Sequence, residues 1–203
     1  MRIMKTTIKI LLALTMIIAV SCNKDEENND VSKKYSMTIL TGMTAGHDIY
    51  LYIDALIPDR EGIWIDLNNN GKKDNGENNV KFGEGKRYEI GSSTITIYGK
   101  VTILDCSGNF VVKSLDVSKN PYLRNLYCYE NDINGEAMTS LMMSLPQHKT
   151  EDNVKIWVIA TNSQYNESNV CTEEQVNIAT DKNWTVFDYY NDDGENDVPY
   201  AGS

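Results

Sequence analysis

Residues 101–131 read VTILDCSGNFVVKSLDVSKNPYLRNLYCYEN. One pattern occurs three times in this stretch: Val101-x-x-Leu104-x-Cys106-x-x-Asn109, Val112-x-x-Leu115-x-Val117-x-x-Asn120 and Leu123-x-x-Leu126-x-Cys128-x-x-Asn131. The asparagines recur every 11 residues, so the full period is 22 residues built from two half-turns. Residues i and i+2 of a short strand point the same way, so Leu126 and Cys128 enter a core while Tyr127 and Tyr129 face out. Each Asn falls where the chain turns inward, and its amide can satisfy loop N–H and C=O groups that would otherwise be buried unpaired.

Two longer turns keep the frame, Val154-x-x-Trp157-x-Ile159-x-x-Asn162 and Trp184-x-x-Phe187-x-Tyr189-x-x-Asp192. The spacing is that of the leucine-rich repeat. It predicts an α+β chain: a short leucine-rich repeat solenoid with helix-containing C-terminal turns over residues 99–190, preceded by a small antiparallel β module over residues 35–98. Met138, Leu141, Met142 and Leu145 lie at helical spacing and stop at Pro146, and Thr172-Glu173-Glu174-Gln175 is a capping box opening a second helix. The unit from Trp184 to Tyr190 is expected to cap the open end. Cys106 and Cys128 occupy equivalent core positions in adjacent turns, as two buried thiols or as a disulfide.

The first half alternates short β-rich runs with turns. Within it, Asp66-Leu67-Asn68-Asn69-Asn70-Gly71-Lys72-Lys73-Asp74-Asn75-Gly76-Glu77 fits D-x-[DN]-x-[DN]-G-x₅-E. Calcium takes six to eight oxygens. Asp66, Asn68, Asn70, Asp74 and Glu77 offer side-chain oxygens, and Lys72 its carbonyl. The flank Gly62-Ile63-Trp64-Ile65 reads as a strand, so no helix–loop–helix is expected. Two readings stand: a weak structural calcium site, or a metal-free turn built on the hairpin dipeptides Asn70-Gly71 and Asn75-Gly76.

Residues 1–21 carry Arg2, Lys5 and Lys9 ahead of an apolar run ending in Ala19-Val20-Ser21-Cys22. This resembles a cleaved signal with a lipobox, which implies lipid on Cys22. The polar stretch 22–34 is a tether whose Lys24-Asp25-Glu26 resembles a surface-export signal, or is simply the spacer that any lipoprotein needs. Residues 191–203 read as an acidic tail. The chain carries 29 acidic against 19 basic residues, a balance that does not favour nucleic acid. With His47 and His148 alone, histidine chemistry has little to work with.

Together, Leu104-Asp-Cys-Ser-Gly-Asn109, Leu115-Asp-Val-Ser-Lys-Asn120, Leu126-Tyr-Cys-Tyr-Glu-Asn131, the segment Thr94–Lys100 and the loop Asp66–Glu77 resemble leucine-rich repeat surface lipoproteins of gut-type Gram-negative anaerobes. The resemblance implies an outer-membrane lipoprotein, exposed at the cell surface, that binds a protein or glycan and has no enzymatic activity. The alternative is a structural envelope lipoprotein without a soluble ligand. The outward strand positions form the expected binding face: Asp105 and Ser107, Tyr127 and Tyr129, Val158 and Ala160, and Asp188 and Tyr190. Its tyrosines stack on a ligand or pair with one another. A hydrolase would have to use paired acids such as Asp105 and Asp188, and no nucleophile–base pair accompanies them.

Overall fold

The computed structural model describes residues 34–189 and 198–203. The strands are β1 Ser36–Thr41, β2 Asp48–Asp54, β3 Trp64–Asp66, β4 Gly85–Glu89, β5 Thr94–Tyr98, β6 Ile103–Asp105, β7 Val112–Asp116, β8 Asn125–Tyr127, β9 Val154–Ile159, β10 Trp184–Asp188 and β11 Val198–Pro199. Helices α1 (Gly135–Ser144) and α2 (Glu173–Thr180) lie on either side of β9 in sequence.

The expected α+β leucine-rich repeat solenoid behind a separate β module does not form. The chain is mostly β, with eleven strands in two sheets among the described residues. One sheet has the order β3-β5-β1-β7 and is antiparallel throughout. The other has the order β11-β10-β9-β8-β6-β2-β4, parallel from β6 to β10 and antiparallel at both ends.

Both sheets draw strands from either side of residue 98. The 22-residue spacing brings β6 and β8 into parallel pairing, Leu104 opposite Leu126. The half-turn between them, β7, goes to the other sheet and pairs with β1, Leu115 opposite Ile39. A strand edge left open is a row of unsatisfied backbone groups. β1 and β2 offer such edges to β7 and β6, and these long-range pairings join the two stretches into one core.

Across the larger sheet the inward row is Ile53, Leu104, Leu126, Ile156 and Val186, all buried. Ile39, Ile95 and Ile97 of the smaller sheet join the same core, and α1 adds Met138, Leu141 and Met142. Burying an aliphatic side chain of this size contributes about 1.5–3 kcal/mol. α1 packs beside β7, and α2 against α1 and β10. The capping box forms: Gln175 N donates to Thr172 Oγ1 at 3.4 Å and Thr172 N to Gln175 Oε1 at 2.8 Å. The amide of Gln175 also donates to Gly135 O, which ties the two helices together.

Asn131 Nδ2 donates to the carbonyls of Cys106 (2.9 Å) and Cys128 (3.1 Å), the role its position predicts. In the next turn that role falls to Asn169, which donates to Cys128 O and Val158 O, both at 2.8 Å, and not to Asn162. Cys106, Cys128 and Cys171 are buried free thiols. The acidic stretch 191–197 of the expected tail lies outside the described residues, and the last six residues of the chain are held against the fold. Val198 and Pro199 pair with β10, Tyr200 Oη donates to Cys171 O at 2.9 Å, and Gly202 lies so close to the start of α2 that a Cβ there would stand 2.3 Å from Glu173 N.

Candidate functional site

The outer face of the larger sheet holds the candidate surface. Strand register sets Tyr52, Asp105, Tyr127, Trp157, Phe187 and Pro199 side by side across six strands. Neighbouring strands are about 4.8 Å apart, the distance at which rings on adjacent strands stack. Tyr127 and Trp157 are parallel within 7° with centroids 4.0 Å apart, and Trp157 and Phe187 lie 5.4 Å apart at 21°. Lys155 Nζ stands 5.9 Å from the Trp157 centroid and 5.6 Å from that of Phe187. A second row stacks Tyr129 on Tyr189 at 4.2 Å, with Tyr165 edge-on to both.

Of the predicted face residues, Asp105, Ser107, Tyr127 and Tyr129 come together here. Asp105 Oδ1 accepts from Ser107 N (2.8 Å) and Ser107 Oγ (2.5 Å). Burial raises the Asp105 carboxyl above the usual range, against the pull of these Ser107 hydrogen bonds. Burial likewise raises the Tyr129 phenol. Tyr190 and the lipidation residue Cys22 lie outside the described residues.

Asp188 does not join the face. It is 9% exposed and accepts from Thr161 N at 2.9 Å and from the Thr161 hydroxyl, at a register shift that follows Phe187. Val158 and Ala160 are buried core residues. The frame over 154–162 is therefore displaced by one residue: Ile156, not Trp157, stands opposite Leu126. A one-residue displacement sends every side chain to the other face. The signal was Lys155: a cation must point to water, and in a strand it takes Trp157 with it. Trp157, Phe187, Lys155 and Tyr189 are the face residues that the repeat frame missed.

At the β4 edge of this face, Asp48, Tyr50, Arg87, Ser107, Asn109 and Phe110 line a shallow depression of about 470 Å³. Tyr50 and Phe110 are 40% and 51% exposed. Tyr50 stands opposite Arg87 in register, but its hydroxyl end reaches diagonally over Gly85, where a Cβ would fall 1.6 Å from Oη. Only glycine permits that close approach. Asn109 fixes the Tyr50 backbone, accepting from Tyr50 N and donating to Tyr50 O, both at 2.8 Å.

The 66–77 loop leaves β3 without a following helix. Asp66 is fully buried; its two oxygens accept from Asn70 N (3.0 Å) and Gly71 N (2.8 Å). Glu77 closes the loop, accepting from Leu67 N (2.9 Å) and Asp74 N (2.8 Å). The amides of Asn68 and Asn70 donate to Asp74 Oδ2 at 2.8 and 2.7 Å, and these hydrogen bonds hold the Asp74 carboxyl below its usual value. Gly71 (φ +73°) and Gly76 (φ +95°) take the left-handed conformation that the turn needs. Among the described residues no three His, Cys, Asp or Glu side chains converge as a metal set. The donors are nevertheless all hard oxygens suited to calcium, supplied by Asp66, Asn68, Asn70, Asp74 and Glu77 with the Lys72 carbonyl.

Compared with known proteins, the chain matches no family model, no curated protein and no solved structure.

Proposed function

We propose that this chain is a lipid-anchored outer-membrane protein, exposed at the cell surface and without enzymatic activity, that binds a protein or glycan at the Tyr50–Arg87–Phe110 depression. The observation that carries this reading is Tyr50, a 40% exposed ring laid along the sheet over Gly85 beside a second exposed ring and a cation. Rings lying open on a flat surface suit sugar stacking or a protein hot spot, and Asp48 and Arg87 add hydrogen-bonding ends. The lipid anchor rests on the residue pattern around Cys22. The 66–77 loop is proposed as a structural calcium site that stiffens the sheet edge beside β3.

A second reading, a structural envelope lipoprotein without a soluble ligand, draws on the stacked row. Trp157 is 4% exposed between Tyr127 and Phe187, so those rings satisfy one another. Glycan and matrix-protein arrays probed with the mature chain decide between the two. Binding that is lost in Tyr50→Ala and Arg87→Ala supports the first reading. No binding on any array refutes it, and resistance of the protein to protease shaving of intact cells would place it away from the surface.

A further inference from the structure

Ala55-Leu56-Ile57-Pro58 forms the tip of the loop between β2 and β3. Leu56 and Ile57 are 63% and 79% exposed, the two most exposed large apolar side chains among the described residues. The loop is held in this shape by its polar neighbours. Arg60 Nε donates to Ala55 O at 3.1 Å and its guanidinium pairs with Asp54 at 2.8 Å. Lys100 Nζ pairs with Asp59 at 3.0 Å, and Asp59 N donates to Leu56 O at 2.9 Å. The apolar pair is thus presented to solvent by a braced 3₁₀ turn, Ile57–Gly62.

Tyr35 lies near the far end of the 3₁₀ turn that carries this tip. Gly99 N donates to Tyr35 O at 2.9 Å, and Gly99 sits so close to the loop that a Cβ there would stand 2.6 Å from Ile63 Cγ1 and 3.0 Å from Gly62 O. Tyr35 and Tyr122 form an edge-to-face pair at 5.0 Å, with Lys34 over one ring and Lys100 over the other. Lys100 links this ring pair to Asp59, two residues from Ile57, and amphipathic rings and lysines near exposed aliphatic side chains form the composition of a membrane interface. Eleven residues separate Cys22 from Lys34, which at full extension reach at most about 40 Å.

We infer that the Leu56–Ile57 tip docks on a lipid bilayer, entering the interfacial zone of the membrane to which Cys22 tethers the chain. This rests on the lipid-anchor reading, which keeps the bilayer within reach of the tip. β2 leads into the tip at Asp54, so Tyr50 and Asp48 lie four and six residues back along the strand from it. Docking therefore points the Tyr50–Arg87–Phe110 depression away from the membrane.

The test uses residues 22–203 with Cys22→Ser and an N-terminal hexahistidine tag, bound to phosphatidylethanolamine/phosphatidylglycerol vesicles through a nickel-chelating lipid. An environment-sensitive dye is placed at Ile57→Cys and, in a separate chain, at Ala45→Cys at the opposite end of β1; Cys106, Cys128 and Cys171 are buried. The expected result is a blue shift and quenching by brominated acyl chains at position 57 on vesicles, with neither at position 45. Leu56→Cys provides a second label if the first variant misfolds. A dye at 57 that stays aqueous overturns the inference. So does an equal response at 45, or a shift that grows with protein concentration without vesicles, which would mean self-association. Mass spectrometry of the chain purified from its cells reads Cys22 acylation independently, so failure of the anchor reading is distinguishable from failure of the tip to dock.

Discussion

Asn169→Ala is the sharpest test of how the larger sheet is held together. Asn169 is 4% exposed, accepts from Ile133 N at 2.8 Å, and donates to Cys128 O and Val158 O at 2.8 Å each. In the alanine variant Cys128 O keeps a donor, Asn131 Nδ2 at 3.1 Å. The buried Ile133 N–H loses its side-chain acceptor, which costs about 1–3 kcal/mol, and the two lost donations add about 0.5–1.5 kcal/mol each. The expected loss is therefore about 2–6 kcal/mol. Asn162, the residue that the repeat spacing equates with Asn131, sits partly exposed in the 161–168 loop and accepts from Gln164 N at 3.2 Å. Asn162→Ala, at a partly exposed loop position, should cost less than Asn169→Ala. Urea unfolding of residues 22–203 carrying Cys22→Ser measures both, provided the slope with denaturant is unchanged. If Asn162→Ala proves as costly as Asn169→Ala, the assignment of the amide ladder is wrong.

Calcium at about 10 mM should stabilise the wild-type chain by about 1.4–2.7 kcal/mol if the site binds in the ~10⁻⁴ to 10⁻³ M range, and should leave Asp66→Ala unmoved; thermal melts with and without calcium check this, and equal responses would leave the loop a metal-free turn. Burial pushes the Cys171 thiol up to about 12 and raises those of Cys106 and Cys128, so a thiol reagent at pH 8 should modify none of the three in the folded protein and all three in urea. Asp152 accepts from Lys149 N at 3.1 Å and pairs with Arg124 at 3.1 Å, which hold its carboxyl below the usual range. A carboxyl lowered in the folded state stabilises above its unfolded value, about 3.9, and loses that contribution as pH falls through the folded value. Asp152→Asn should therefore flatten the acid side of the stability–pH curve and leave the neutral region shaped as before; an unchanged acid side would rule out this contribution.

The alternation in residues 101–131, the helical face of Met138, Leu141 and Met142, the capping box and the shape of the 66–77 loop were all legible, because each depends on neighbours a few residues away. The phase of β9 was open to the same reasoning. Trp157 looks like core by its size, and only the requirement that Lys155 reach water shows that it faces out. The depression was not legible, since Tyr50, Arg87 and Phe110 come from three separate segments. Its decisive contact, Tyr50 over Gly85, depends on the pairing of β2 with β4.

By itself, then, the sequence determined the period, the turn residues and the inward phase of Leu104, Leu126 and Cys128, since strand alternation and Asn hydrogen bonding act within one turn of chain. Only the tertiary structure decided that β7 pairs with β1 and β6 with β2, that Asn169 serves where Asn162 was expected, and that residues 198–199 close the sheet as an edge strand. Backbone edges carry the same N–H and C=O groups whatever the side chains. Which edge meets which was therefore settled by the packing of the whole core.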